Sequence, residues 1–298
     1  MGRYICERFY RRISRLMITL FTTTKNFTGR NAVNQLNALR SWKALGNGME
    51  IIIFGVCDGI DDISRELGIV HFDEVETSDA GVPLIRSMFE TVSDCATYEI
   101  CCFVNADIIL PGNFIGDVSS IHSALGRDYL IVGQRNDVDV DKLFSFDAQW
   151  EHRFQLEYGA SLCEHPPQGS DYFVFPKGQY LQGHMPTLLV GRPGWDLWMI
   201  YNARSRGYKT IDLSFSTRVI HQNHDYGHKH KIYNELSDDP EAKINLAHLP
   251  KKGRFIFTLL ACNYLYRDGE LCRNYSRGDL RNYRKIERIL GRSPRQWF

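Results

Sequence analysis

The chain has 298 residues, 43% of them hydrophobic and 24% charged, with a formal net charge of +1. That length buries a sizeable core as one large domain or one domain with an appendage. The near-neutral balance argues against a nucleic-acid-seeking surface, since the basic residues sit at the chain ends and show no aromatic interleaving at a known spacing.

Eight cysteines in so long a chain do not make a disulfide framework, and no CxxC pair offers a thiolate zinc site. Reduced thiols in a cytoplasmic compartment are the expectation. Both chain ends are basic and the middle is correspondingly acidic. Residues 1–15 carry Arg3, Arg8, Arg11, Arg12 and Arg15 against Glu7, and lack the apolar core of a signal peptide. With Tyr4, Ile5, Phe9, Tyr10 and Ile13 among its arginines, this leader reads either as a peripheral contact to an anionic membrane or as a solvated segment. No apolar run approaches the ~20 residues that span a bilayer.

Periodicity then alternates between short strands and longer helices. Residues 16–23 read as a strand. Residues 32–45 read as a helix, with Ala32, Val33, Leu36, Leu39, Trp42 and Leu45 at helical spacing and Gly46-Asn47-Gly48 as its stop. A strand over 51–56 ends in Cys57-Asp58-Gly59. A helix over 60–67, a strand over 70–75 and a helix over 83–96 with Pro83 in its first turn follow. The apolar run from Ile100 then ends in Asn105-Ala106-Asp107. Beyond it come a strand over 129–133 and an aromatic-rich stretch over 138–158 whose later part is helical. A short strand over 172–175, a helix over 197–205 opened by Gly194-Trp195-Asp196, and a strand over 210–220 complete this region. From about residue 240 the chain reads as helical and basic.

Near-continuous apolar strands alternating with helices predict an α/β fold, a mostly parallel central sheet covered on both faces by helices. The expected organisation is a leader over 1–15, the α/β domain over 16–232, and a helical, basic C-terminal extension over 233–298.

Candidate site residues cluster at strand ends and turns, where loops carry function. Asp107 ends a buried strand, where a carboxylate needs a cation to neutralise it. A divalent ion held there would offset charge on a phosphate ligand. A turn or helix cap ahead of Pro111-Gly112-Asn113 is the plain alternative. Four histidines lie within ten residues after the 210–220 strand: His221, His224, His228 and His230. His221 and His224, nearest the strand end, are the better metal candidates, and imidazole suits Mn²⁺- or Zn²⁺-type ions. Asp196 reads either as a helix-start residue stabilised by the dipole or as a general base, with Trp195 as a stacking face for a sugar ring. Thr22, Thr23 and Asp58, at the ends of the first two strands, suit contacts to a nucleobase or ribose, and Asp171 suits sugar hydroxyls. Neither GxGxxG nor GxxxxGK[ST] occurs.

These residues together resemble the GT-A superfamily of glycosyltransferases, over roughly residues 16–230. The resemblance is carried by Phe21-Thr22-Thr23, Gln35 to Trp42, Val104-Asn105-Ala106-Asp107, Gly169 to Pro176, Gly191-Arg192-Pro193-Gly194-Trp195-Asp196, and Ile220 to Tyr226. It implies a single Rossmann-like domain, a nucleotide-sugar donor, most often a UDP-sugar, and a glycan or other hydroxyl acceptor. It also implies Mn²⁺ or Mg²⁺ held by an Asp-x-Asp motif, whose first acid is Asn105 here, completed by His221 or His224. Asn105 and Asp107 would face the donor, Gly194 and Trp195 the sugar, and Asp196 would be the base of an inverting transfer. A retaining transferase, a non-catalytic nucleotide-sugar-binding protein and a sugar-nucleotide pyrophosphorylase are the alternatives. The last lacks the Gly-rich loop it would need.

Overall fold

The computed structural model describes residues 17–180, 185–224, 239–252, 254–274 and 280–291. The expected leader over 1–15 lies outside them, as do His228 and His230. The strands are β1 (Ile18–Thr23), β2 (Met49–Phe54), β3 (Val70–Phe72), β4 (Ile100–Val104), β5 (Ile108–Ile109), β6 (Tyr129–Val132) and β7 (Arg135–Val138). They continue with β8 (Cys163–Glu164), β9 (Tyr172–Pro176), β10 (Lys209–Asp212), β11 (Val219–Gln222), β12 (Tyr264–Arg267) and β13 (Glu270–Arg273). Nine form one sheet in the order β13-β12-β10-β6-β9-β4-β1-β2-β3, and the others a small sheet, β5-β11-β7-β8. In the large sheet β9 runs against β4 and β6, and β13 against β12; the remaining pairs are parallel. This is the mostly parallel α/β architecture that the strand pattern predicts.

Alternation along each strand builds two apolar layers. Phe21, Cys101, Phe103 and Phe175 face one side, where they pack with Phe89 of α3 (Ile85–Cys95). Leu20, Cys102, Val104 and Val174 face the other, with Trp42 of α1 (Gly29–Ala44) and Phe114 of α4 (Phe114–Leu125). The phenylalanine rings meet edge-on or stacked, Phe21 to Phe89 at 5.1 Å and Phe89 to Phe175 at 4.9 Å between centroids. Such pairs add about 0.5–1.5 kcal/mol each beyond their area. A third cluster, centred on α5 (Trp150–Tyr158), covers the small sheet through Phe144, Trp150 and Phe154.

Helix α1 also carries a buried polar face that its apolar spacing does not announce. Asn34 Nδ2 donates to the Gln222 carbonyl (3.0 Å), and Asn37 Nδ2 to Gln222 Oε1 (2.9 Å). Ser41 Oγ accepts from the Leu110 N–H, and the Trp42 indole donates to the Ile108 carbonyl (2.8 Å). These bonds clamp the ends of β5 and β11 against the large sheet.

Three expectations are corrected. The single strand over 210–220 is two strands in different sheets. Asp212 Oδ1 accepts from both the N–H and the hydroxyl of Ser214, which turns the chain between β10 and β11. Helix α3 starts at Ile85, because Pro83 is engaged in an antiparallel bridge with Thr77. The C-terminal region is not wholly helical. Helices Pro240–Ala247 and Leu280–Ile289 flank a β12–β13 hairpin, and β12 pairs with β10, so the hairpin extends the large sheet. Its turn, Asp268-Gly269, takes positive φ at both positions, the geometry that matches strand twist. No helix among the described residues is long and apolar enough to cross a membrane.

Candidate metal and donor site

Strand β4 leaves the large sheet at Val104 and re-enters the small one as β5, so Asn105-Ala106-Asp107 bridges the two sheets. The Asn105 N–H donates to the Asp171 carbonyl (2.9 Å) at the start of β9. The Asp107 carbonyl accepts from the Gln222 N–H (3.2 Å) and from Gln222 Nε2 (3.1 Å). Both ends of the turn are thus fixed by strands far away in sequence.

That placement brings Asp107, His221 and His224 together, with one ligand atom of each within 4.8 Å of the others. Asp107 Oδ2 lies 3.2 Å from His224 Nε2 and 3.6 Å from His221 Nε2. Asp107 Oδ1 is buried and has no hydrogen-bond partner. An orphaned buried carboxylate oxygen is costly, and a cation is what would satisfy it. One carboxylate and two imidazoles are an appropriate donor set for a Mn²⁺-type ion, with positions left for exogenous oxygen ligands. The residues present therefore fit the implied metal. Burial opposes the charge on Asp107, but the His221 and His224 imidazoles outweigh it and hold the carboxyl well below the usual range. Burial likewise opposes charge on His221, yet Asp107 and Asp137 hold it up at about 9. Loading of a metal would thus displace a proton from His221.

Around the cluster runs a chain of polar and charged side chains. His221 Nδ1 donates to Asp137 Oδ1 (2.9 Å), and His165 Nδ1 lies 2.6 Å from Asp137 Oδ2. Arg135 Nε is 2.9 Å from Asp137 Oδ1, while its Nη1 donates to both oxygens of Asp171 (2.9 Å each). Asn105 Nδ2 donates to Asp171 Oδ1 (2.8 Å). Asn105 and Asp107, two residues apart, therefore stand at opposite ends of one network.

Helix α6 (Trp195–Ser205) carries Asp196 in its first turn, near enough to this network for the Asp171 charge to act on it. Its N-cap, Gly194, has φ +104°, and a Cβ there would lie 2.9 Å from Leu246 Cδ2, so only glycine fits. The Gly194 N–H donates to Asp196 Oδ1 (3.3 Å). Burial pushes the Asp196 carboxyl up to about 6; the Leu197 and Gly194 N–H groups restrain the rise, and the Asp171 charge adds to it. A carboxylate poised there is mostly ionised at neutral pH yet basic enough to accept a proton.

At the carboxyl edge of the large sheet, the loops after β1 and β2 are tied together. The Asp58 N–H donates to Asn26 Oδ1 (3.0 Å) and the Phe27 N–H to the Asp58 carbonyl (2.8 Å). Asp58 is exposed and Thr23 half-buried at this edge.

Three expected contacts are corrected. Trp195 is 5% exposed and its ring packs at 5.0 Å from Phe103 and 4.9 Å from Phe173, a core position with no face for a sugar. Thr22 is fully buried, and its hydroxyl donates to the Thr23 carbonyl rather than facing a nucleoside. Asp171 accepts from Arg135 and Asn105, so its oxygens serve the protein's own donors and not sugar hydroxyls.

No family model matches the sequence, and no curated protein matches it either. Solved structures do. Glucosyl-3-phosphoglycerate synthase from Mycobacterium tuberculosis, in complex with Mn²⁺, uridine diphosphate and glucosyl-3-phosphoglycerate, is 13% identical with a TM-score of 0.45. That match covers 80% of this chain and 82% of the synthase. A 1–349 fragment of S. aureus TarS is 14% identical over 44% of this chain with a TM-score of 0.32, and a longer TarS structure is 16% identical over 42% with the same TM-score. The chain covers 39% of the fragment and 22% of the longer TarS chain. At these identities and TM-scores the site's own residues must carry the functional reading.

Arg135, Asp137 and His165 escape sequence reasoning. Arg135 and Asp137 alternate on one face of a short strand, a weak signal. Their meaning comes from the parallel pairing of β7 with β11, which sets Asp137 opposite His221.

Proposed function

We propose that the chain is a metal-dependent glycosyltransferase that moves a sugar from a nucleotide-diphosphate donor, a UDP-sugar on the motif resemblance, to an acceptor hydroxyl with inversion. The observation that carries the reading is the Asp107–His221–His224 cluster with its orphaned Asp107 oxygen. When bound, Mn²⁺ or Mg²⁺ supplies neutralisation of the charge that develops on a diphosphate leaving group. Asp107, His221 and His224 would hold it, and the two imidazoles favour Mn²⁺.

The other roles belong to the protein. Thr23 and Asp58 line the nucleoside edge. Asn105 keeps its amide on Asp171 and so stabilises the turn that presents Asp107. Asp196 is the base: as the acceptor oxygen attacks the anomeric carbon, its proton passes to the Asp196 carboxylate. The developing negative charge leaves on the diphosphate. The exposed cations Arg284, Lys285 and Arg288 of helix Leu280–Ile289 are where a peripheral membrane contact would form.

The test is a panel of nucleotide-sugars screened by thermal shift with and without Mn²⁺, followed by transfer assays on the donor that stabilises the fold. A donor at a hundred times its dissociation constant stabilises by about 2.7 kcal/mol. Mn²⁺-dependent stabilisation and transfer, with the inverted anomer seen by NMR, supports the reading. Donor binding with no turnover across acceptors would leave a binding protein instead.

A further inference from the structure

His221 is 2% exposed, and the fold uses its two ring nitrogens differently. Nε2 faces Asp107 at 3.6 Å, whereas Nδ1 is 2.9 Å from Asp137 Oδ1. The backbone sets the second contact, since Asp137 is the register partner of His221 across the parallel β7–β11 pair. Nor can the Asp137 carboxylate turn freely. Arg135 Nε forms an ion pair with Oδ1 at 2.9 Å, and His165 Nδ1 is within hydrogen-bond distance of Oδ2 at 2.6 Å. Arg135 is itself anchored through Nη1 to Asp171.

We propose that Asp137 is the positioning residue of the metal centre. By accepting the Nδ1–H of His221, it keeps the ring proton on the far nitrogen and leaves the Nε2 lone pair directed to the ion beside Asp107. It also fixes the plane of the ring, and Arg135 fixes the carboxylate that does so. An imidazole without this partner is free to carry its proton on Nε2, where it would block ligation. The inference rests on the metal-dependent reading of the site and adds to it a residue that touches neither metal nor substrate.

Two measurements on the full chain test it. With ¹⁵N-histidine label and Zn²⁺ as a diamagnetic probe, long-range ¹H–¹⁵N correlation should show His221 protonated at Nδ1 and unprotonated at Nε2. The opposite tautomer overturns the proposal. By Mn²⁺ titration followed by electron paramagnetic resonance, Asp137→Ala should weaken binding about 10–100-fold. Asp137→Asn keeps an acceptor oxygen for Nδ1–H and should fall between that variant and wild type. A folded Asp137→Ala chain that binds Mn²⁺ within about twofold of wild type contradicts the proposal. If Asp137→Ala does not fold, the tautomer and the Asp137→Asn affinity still decide, because the latter must be weaker than wild type. A wild-type chain that binds no Mn²⁺ removes this inference together with the functional reading. Asp137-dependent Mn²⁺ binding without sugar transfer removes the functional reading alone.

Discussion

Replacing Asn105 with aspartate tests whether this position serves the metal or serves Asp171. Restoring an acid to the motif would strengthen a metal site in which residue 105 is a ligand. The structure predicts the reverse. Asn105 Nδ2 donates to Asp171 Oδ1 at 2.8 Å, and Arg135 is already shared between Asp171 and Asp137. In Asn105→Asp that hydrogen bond becomes a contact between two carboxylates. Relaxed to about 4 Å, two like charges repel by about 4 kcal/mol at an effective dielectric near 20. At 1.36 kcal/mol per unit, this would lift the new carboxyl from an unfolded value of about 3.9 to about 7 in the folded chain. The sign follows from linkage, since the folded state then binds a proton that the unfolded state has released. Destabilisation is near zero below about pH 4, grows by about 1.4 kcal/mol per pH unit, and levels off near 4 kcal/mol above about pH 7. Urea unfolding of wild type and Asn105→Asp at pH 4.5, 6 and 8 gives the curve, and Mn²⁺ titration gives the affinity. A variant that is as stable as wild type at pH 8 and binds Mn²⁺ more tightly would refute the assignment.

Three further substitutions have outcomes set by the same geometry. Asp196→Asn should lower transfer by about 10²–10⁴-fold with donor affinity retained, and in wild type kcat/KM should rise through pH about 6 and then level off. Because burial raises the Asp196 carboxyl, its ionisation opposes folding as pH rises through the 3.8 to about 6 window. Asp196→Asn should therefore be more stable than wild type at pH 8 but not at pH 3.5, as read by unfolding at both. Gly194→Ala must take φ +104° with a Cβ 2.9 Å from Leu246, and should cost about 1–3 kcal/mol in thermal unfolding. Trp195→Ala should cost about 3–5 kcal/mol of stability as a core cavity; a selective rise in donor KM with unchanged stability would instead restore its sugar-stacking role.

What the sequence revealed and what it hid divide by contact distance along the chain. The apolar runs at Ile100–Val104 and Tyr129–Val132 and the helical spacing of Ala38, Leu39 and Trp42 are local patterns, and they place the α/β layers. Asp107, His221 and His224 are legible because a strand end and a dense histidine run are local as well. That both imidazoles and Asp137 converge depends on β11 lying between β5 and β7, a pairing of segments more than 80 residues apart that no local pattern encodes. Trp195 misleads for a related reason. A tryptophan beside a helix-start aspartate reads equally as a stacking face or as core, and only packing on Phe103 and Phe173 decides. The polar face of α1 was hidden because Asn34 and Asn37 look solvated until Gln222 is brought onto them. The β12–β13 hairpin did carry a local signal, Asp268-Gly269 between the short apolar runs Tyr264-Leu265-Tyr266 and Leu271-Cys272, which the basic character of the region obscured.

The most direct measurement is turnover of a nucleotide-sugar by the metal-stripped chain, followed by NMR as Mn²⁺ is added back to wild type, Asp107→Ala and His224→Ala. Donor consumption that appears only with Mn²⁺, and is lost in both variants while they remain folded, is the predicted result. Turnover that is unchanged by metal removal, or undiminished in folded Asp107→Ala, would contradict a metal-dependent transferase built on this cluster.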